Sequence, residues 1–204
     1  MKKIIGTIMV IALTAGCQKK ETPGPNQYVV NDYAFELTAS GNSRQPKTGW
    51  NQLAVGDVAN KIFTASFTTS QKAKVFAVGA YLPAWTLDNY IVYLKEVNTP
   101  GYLIYDSMPG TTEVTGWRYR DVSAQGKEAT IYPDHQYTAG IIFKPNPNQP
   151  RTQFYTVGKN NNTQPIVPFT QGIVNYWGTF DGGIGSPAFR LDGVVDIGLY
   201  PLAP

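Results

Sequence analysis

Two stretches, Lys74-Val75-Phe76-Ala77-Val78-Gly79-Ala80-Tyr81-Leu82 and Val194-Val195-Asp196-Ile197-Gly198-Leu199-Tyr200, set the architecture of this chain. In the first, Phe76, Val78, Ala80 and Leu82 fall on every second residue. In the second, Val195, Ile197 and Leu199 alternate with Asp196 and Gly198. Successive strand side chains point to opposite faces, so a period of two with one apolar phase marks a sheet that packs one face on a core. Similar short runs of β-branched and aromatic residues, bounded by turn residues, predict strands at Tyr28–Leu37, Lys61–Thr68, Tyr90–Val97, Tyr102–Tyr105, Gly116–Val122, Glu128–Tyr132, Tyr137–Lys144, Gln153–Val157 and Ile173–Phe180. Asn98-Thr99-Pro100-Gly101 is a turn signal that joins two of these runs into a hairpin. No window shows the i, i+3, i+4, i+7 apolar set of a helix without a glycine or proline breaking it.

Composition agrees. The chain carries 4 Trp, 13 Tyr and 9 Phe, with 20 Gly and 15 Pro, and only 15% of its residues are charged, against about 25% in an average soluble protein. Abundant aromatics and few charges exclude disorder. The expected fold is therefore all-β: one two-sheet antiparallel β-sandwich, jelly-roll or immunoglobulin-like, with long loops at Gly41–Asn51, Pro145–Pro150, Gly158–Pro168 and Asp181–Pro187.

The N-terminus has a different character. Met1-Lys2-Lys3 is basic, Ile4 to Leu13 is apolar, and Thr14-Ala15-Gly16 supplies small residues before Cys17. This is the pattern of a secretory signal, too short to cross a bilayer, which takes about 20 apolar residues. Ala15-Gly16-Cys17 resembles the lipobox of bacterial lipoproteins, with Leu13 one place farther from the cysteine than usual and Thr14 standing in its stead. The resemblance implies cleavage after residue 16, acylation of Cys17 with membrane lipid as partner, and a polar tether through residue 27 ahead of a single domain spanning residues 28–204. Cys17 is the only cysteine, so it has no internal disulfide to make. Gln18 is not the aspartate that retains lipoproteins at the inner membrane, and the expected address is the outer membrane. Loss of Lys2 and Lys3 with the leader brings the formal +3 close to neutrality, which excludes nucleic acid as a partner.

Three further segments, taken in order, resemble a family of exported bacterial β-sandwich modules known as a domain of unknown function and found beside glycan-active or adhesive domains. They are Ile62-Phe63-Thr64-Ala65-Ser66-Phe67 with Ala77-Val78-Gly79-Ala80-Tyr81; Gly116-Trp117-Arg118 with Tyr132-Pro133-Asp134-His135-Gln136-Tyr137; and Gly185-Ser186-Pro187 with the closing strand Val194 to Leu199. The family's Gly-rich stretch is replaced here by Pro83-Ala84-Trp85-Thr86-Leu87. The resemblance implies the sandwich and carries no catalytic residues.

Catalytic chemistry is thinly supplied. One histidine and one cysteine cannot assemble a His/Cys zinc site, and a Ser-His-Asp triad would have to use His135, which sits in a turn. Asp121, Asp134, Asp181 and Asp192 also lie at turns, where capping is their ordinary role, although a pair of carboxylates suffices for glycoside hydrolysis. No cofactor is expected beyond a structural calcium ion, for which Asp181 ahead of Gly182-Gly183 is the candidate. The aromatic residues point to ligand binding, because sugars stack their C–H faces on exposed rings. Trp85 with Tyr81 and Tyr90, and Tyr176 with Trp177 and Phe180, stand at strand ends beside loops, and Trp50 lies in a loop; Trp117, mid-strand, reads as core. Asp106-Ser107-Met108 also fits a short bacterial O-glycosylation motif. The sequence thus leads to a lipid-anchored, non-catalytic envelope module that binds glycan. The alternatives are an assembly lipoprotein contacting another envelope protein and a carboxylate-pair glycoside hydrolase.

Overall fold

A computed structural model describes residues 27–41, 44–55, 62–82, 90–108, 115–143, 154–159, 166–180, 190–191 and 194–203. In chain order the elements are β1 (Gln27–Tyr28), α1 (Val29–Ala34), β2 (Phe35–Leu37), β3 (Arg44–Pro46), β4 (Trp50–Val55), β5 (Ile62–Thr69), β6 (Ala73–Leu82), β7 (Tyr90–Glu96) and β8 (Ile104–Met108). They continue with β9 (Gly116–Asp121), β10 (Ala129–Ile131), β11 (Gln136–Phe143), β12 (Phe154–Lys159), β13 (Phe169–Gln171), β14 (Val174–Phe180), β15 (Arg190–Leu191) and β16 (Val195–Pro201).

Among the described residues these strands build an all-β antiparallel sandwich. One sheet runs β1-β16-β6-β10, with β9 also on β6; the second runs β13-β14-β5-β11-β7-β8. Two smaller sheets, β15-β12-β4 and the hairpin β2-β3, flank them. The core lies between the large sheets. Ala73, Val75, Val78, Ala80, Leu82, Val195, Ile197 and Leu199 face it from the first; Phe63, Ala65, Phe67, Tyr90, Val92, Leu94, Tyr137, Ala139, Ile141 and Phe143 face it from the second. Full burial of each large apolar side chain contributes roughly 1.5–3 kcal/mol. Together they oppose the conformational entropy of ordering strands whose partners are far apart in sequence.

The period-two reading of β6 holds with one correction. Ala77 pairs with Gly198 and Val75 with Leu199, so Phe76 is an extra residue, a β-bulge. The bulge switches the phase: Ala73 and Val75 face the core before it, and Val78, Ala80 and Leu82 after it. Phe76 is left outside that cluster, with its ring stacked on Tyr200 and its carbonyl accepting the Val122 N–H at 2.9 Å. A Cβ at Gly198 would fall 2.5 Å from the Phe76 ring. The face of β16 expected to be wet is covered too. Asp196 is buried, and its carboxylate accepts the Tyr119 hydroxyl and the Ile197 N–H, both at 2.8 Å.

The expected strand over Tyr28–Leu37 is instead β1, a single-turn α1 and β2. Its β-branched start favours a strand, but tertiary contacts on alternate sides override that propensity. Tyr33 stacks on Phe169 with ring centroids 3.8 Å apart, while Phe35 packs on Tyr81 and Trp117. Asp32 forms an ion pair with Arg44 and its carbonyl accepts Lys47 Nζ, which ties the turn to β3. The loop read at Gly41–Asn51 contains β3 and the start of β4. Most of the loops read after Phe143 lie outside the described residues.

One clasp joins the two large sheets at their edges. Asp106 of β8, the edge strand of the second sheet, accepts Arg120 Nε from β9 at 2.9 Å and the Ser107 N–H at 2.9 Å. Partial burial pushes its carboxyl up, but the Arg120 and Ser107 hydrogen bonds and the charges of Arg120 and Lys127 outweigh this and hold it below the usual carboxylate value. A carboxyl depressed in the folded state stabilises the protein above its unfolded pKa, about 3.9, and that stabilisation is lost as pH falls through the folded value. Urea unfolding of the wild type and Asp106→Asn should therefore differ at pH 7, and the difference should shrink as the pH falls below about 3.9 and through the lower folded value. A gap unchanged by pH would mean that Asp106 acts only by filling space.

Candidate functional site

The structure divides the aromatic residues singled out in the sequence. Tyr81, Tyr90 and Tyr176 are 4%, 1% and 3% exposed and belong to the core. Tyr81 lies under Phe35, Tyr90 against Phe143 and Tyr176 against Phe169, so none offers a face to a ligand. This corrects the expectation for all three: their position near strand ends does not expose them, because Phe35, Phe143 and Phe169 pack against their rings. Trp50 and Trp117 are half-buried and pack against the core. Trp177 is 42% exposed. Tyr176 pairs with Phe67 and Gly178 with Ser66, so Trp177 is the extra residue of a second bulge, which keeps it out of the core. Trp85, Asp181, Asp192 and Cys17 lie outside the described residues, as does the side chain of Phe180.

Two surface features were not singled out by the sequence reading. The first is an aromatic platform at the β7-β8 hairpin. Tyr102 and Tyr105 are 52% and 50% exposed with ring centroids 4.8 Å apart, and Tyr102 rests edge-on against Tyr93 at 5.4 Å. The hairpin is the one predicted from Asn98 to Gly101, with Asn98 (φ 66°) and Gly101 (φ 92°) both left-handed. It places Tyr105 across from Tyr93 on the face of the second sheet that points away from the core, and exposed Leu103 extends the patch. Burial pushes the Tyr93 hydroxyl up to about 12, which keeps this ring neutral beneath the platform. The signal was legible: in the run Ile104 to Met108, Tyr105 shares the phase of Ser107 and opposes that of the apolar Ile104 and Met108.

The second feature is an open cavity of about 400 Å3 at one end of the sandwich, lined by Glu96, Val97, Asn98, Asp134, His135 and Gln136. The end of β7 and the turn into β11 meet there, held by a Val97 N–H to Gln136 carbonyl bond of 2.8 Å. His135 Nδ1 lies 2.7 Å from Glu96 Oε1, so a carboxylate of the β7 end orients its ring. Its ring is parallel to that of Tyr137 at 6.4 Å, and Tyr137 Oη accepts the Tyr132 N–H at 2.8 Å. Asp134, read from sequence as a turn residue, adopts φ 68°. Asp121 is a capping residue, with its carboxylate accepting the Ser123 N–H and hydroxyl.

Among the described residues, no group of three or more His, Cys, Asp or Glu side chains is arranged to hold a metal ion. No family model matches the chain, and a search of curated proteins returns no match.

Proposed function

We propose that this chain is a lipid-anchored, non-catalytic binding module of the bacterial envelope, acylated at Cys17 and holding a glycan through Tyr102 and Tyr105. The observation that carries this reading is the exposed tyrosine pair. Two adjacent phenol rings on a rigid sheet edge, backed by a third, keep apolar faces in water at a cost to solubility. Stacking on the C–H face of a sugar removes that cost, and Ser107 and Thr99 nearby in the chain can bond hydroxyls. The lipobox and the resemblance to modules that accompany glycan-active domains support the envelope address.

The test is a glycan array probed with the full chain in detergent. Retention of a subset of glycans is expected, with Tyr102→Ala and Tyr105→Ala each weakening it about tenfold. A blank array with folded protein would overturn the reading, as would retention untouched by either substitution. Release of reducing ends from a retained glycan would replace it with the hydrolase reading. Leu103 gives the patch an apolar component that also suits a protein partner. An envelope protein captured only when Tyr102 and Tyr105 are intact, with no glycan retained, would favour the assembly lipoprotein. Palmitate labelling and membrane recovery should both be lost in Cys17→Ser.

A further inference from the structure

We infer that the cavity between Glu96, Asn98, Asp134 and His135 is a second, polar subsite that receives one neutral or amine-bearing sugar residue and rejects acidic ones. This rests on the glycan-binding reading above and names the class of sugar that the hairpin selects. The volume, about 400 Å3, lies in the range of small-ligand sites.

Its lining is of two kinds. The Glu96 carboxylate and the His135 imidazole are locked together at 2.7 Å, and His135 lies parallel to Tyr137, whose hydroxyl is held by the Tyr132 backbone. That half of the cavity is a prearranged wall. It includes imidazole surface, since His135 lines the cavity with its side chain about half exposed. The other half is formed by Asn98 and Asp134, both exposed and both left-handed at φ 66° and 68°. Asn and Asp adopt this turn backbone more readily than other residues with a side chain, and it fixes where each of the two side chains starts. Two such residues from different turns meet at one cavity.

The chemistry follows from these groups. A carboxylate accepts two hydroxyl protons at once, and a carboxamide both donates and accepts, so Asp134 and Asn98 suit adjacent hydroxyls on one ring. The imidazole surface suits its C–H face. The Asp134 carboxylate repels a uronate, sulfate or phosphate and favours an ammonium group, while the Glu96 carboxylate is engaged with His135. Lys95 does not offset them, because it pairs with Thr138 on the outer face of the sheet whereas Glu96 pairs with Tyr137 on the core side. Lys72 is directed onto the Tyr132 ring, with its ammonium 5.3 Å from the centroid.

The experiment is an NMR titration of the isotopically labelled full chain in detergent with mannose, N-acetylglucosamine, glucosamine and glucuronic acid, one at a time. Mannose, N-acetylglucosamine or glucosamine should shift the His135 imidazole and the Asn98 and Gln136 amides, and glucuronic acid should not. Asn98→Gly and Asp134→Asn tolerate the left-handed backbone and so keep the fold; each should weaken the response about tenfold. Silence at these positions, with array binding through Tyr102 and Tyr105 intact, would overturn the subsite and leave the platform standing. Shifts produced by glucuronic acid would overturn the charge argument. A pocket response in a protein whose array binding ignores Tyr102 and Tyr105 would keep the subsite and remove the platform.

Discussion

Tyr90→Ala should unfold at a much lower temperature than the wild type without first losing a ligand. The ring is fully enclosed beside Phe143, and burial raises its hydroxyl far above the ordinary value, as expected for a phenol removed from water. Truncating a buried aromatic to alanine costs about 3–5 kcal/mol, a large part of the 5–15 kcal/mol that holds a typical domain together. For a domain of this size the melting temperature falls by about 2–4 °C per kcal/mol, or on the order of 10 °C in all. Tyr102→Ala removes an exposed ring and should move the melting temperature by no more than about 2 °C. Thermal denaturation followed by circular dichroism separates the two. A Tyr90→Ala protein with native stability and no glycan binding would return Tyr90 to the ligand surface.

Gly79→Ala should be nearly as damaging, for a steric reason. A Cβ at this position would overlap the Arg118 carbonyl oxygen and the Tyr119 ring on the neighbouring strand β9. The carbonyl is backbone and has little room to retreat while β9 pairs with β6, so the two strands must part or Tyr119 must leave Asp196. Either route places the cost near the upper end of the 1–3 kcal/mol typical of overpacking, about 3 kcal/mol. Gly116→Ala is the control, because its Cβ would meet only the end of Arg118 at an ordinary 3.7 Å. Equal melting temperatures for the two variants would show that β9 yields freely and that Gly79 is not a packing requirement.

The sandwich was legible because its signal is local. Strands such as β5, β6, β7, β11 and β16 announce themselves by alternation and by turn residues at their ends, and the Asn98–Gly101 turn defines its hairpin without help from distant residues. The bulges were not legible. Phe76 belongs to the apolar phase of its run, and only the pairing with β16, together with the Val122 contact, makes it the residue that is skipped. The helical turn after Tyr28 depends likewise on Phe169, Arg44 and Lys47, remote in sequence. Ligand residues fared worse for the same reason. Whether a ring meets water depends on what covers its sheet face: the β2-β3 hairpin brings Phe35 over Tyr81, and among the described residues nothing comparable hides Tyr105, which is half-exposed. The cavity joins two turns some forty residues apart and needs the β7-β11 pairing to exist.

The aspartates that occupy neighbouring backbone N–H groups have a consequence for crowding. At Ser107 on the edge strand β8, a donor that could recruit an incoming strand already holds the carboxylate of the preceding residue; at Ile197 the same bond is buried in β16, between β1 and β6. Copies held side by side, as the proposed lipid anchor would hold them, would face one another at very high local density, the condition under which bare sheet margins seed fibrils. With the Ser107 donor occupied, a strand arriving at β8 finds one ladder bond fewer to make, and crowded copies should pair less readily along this rim.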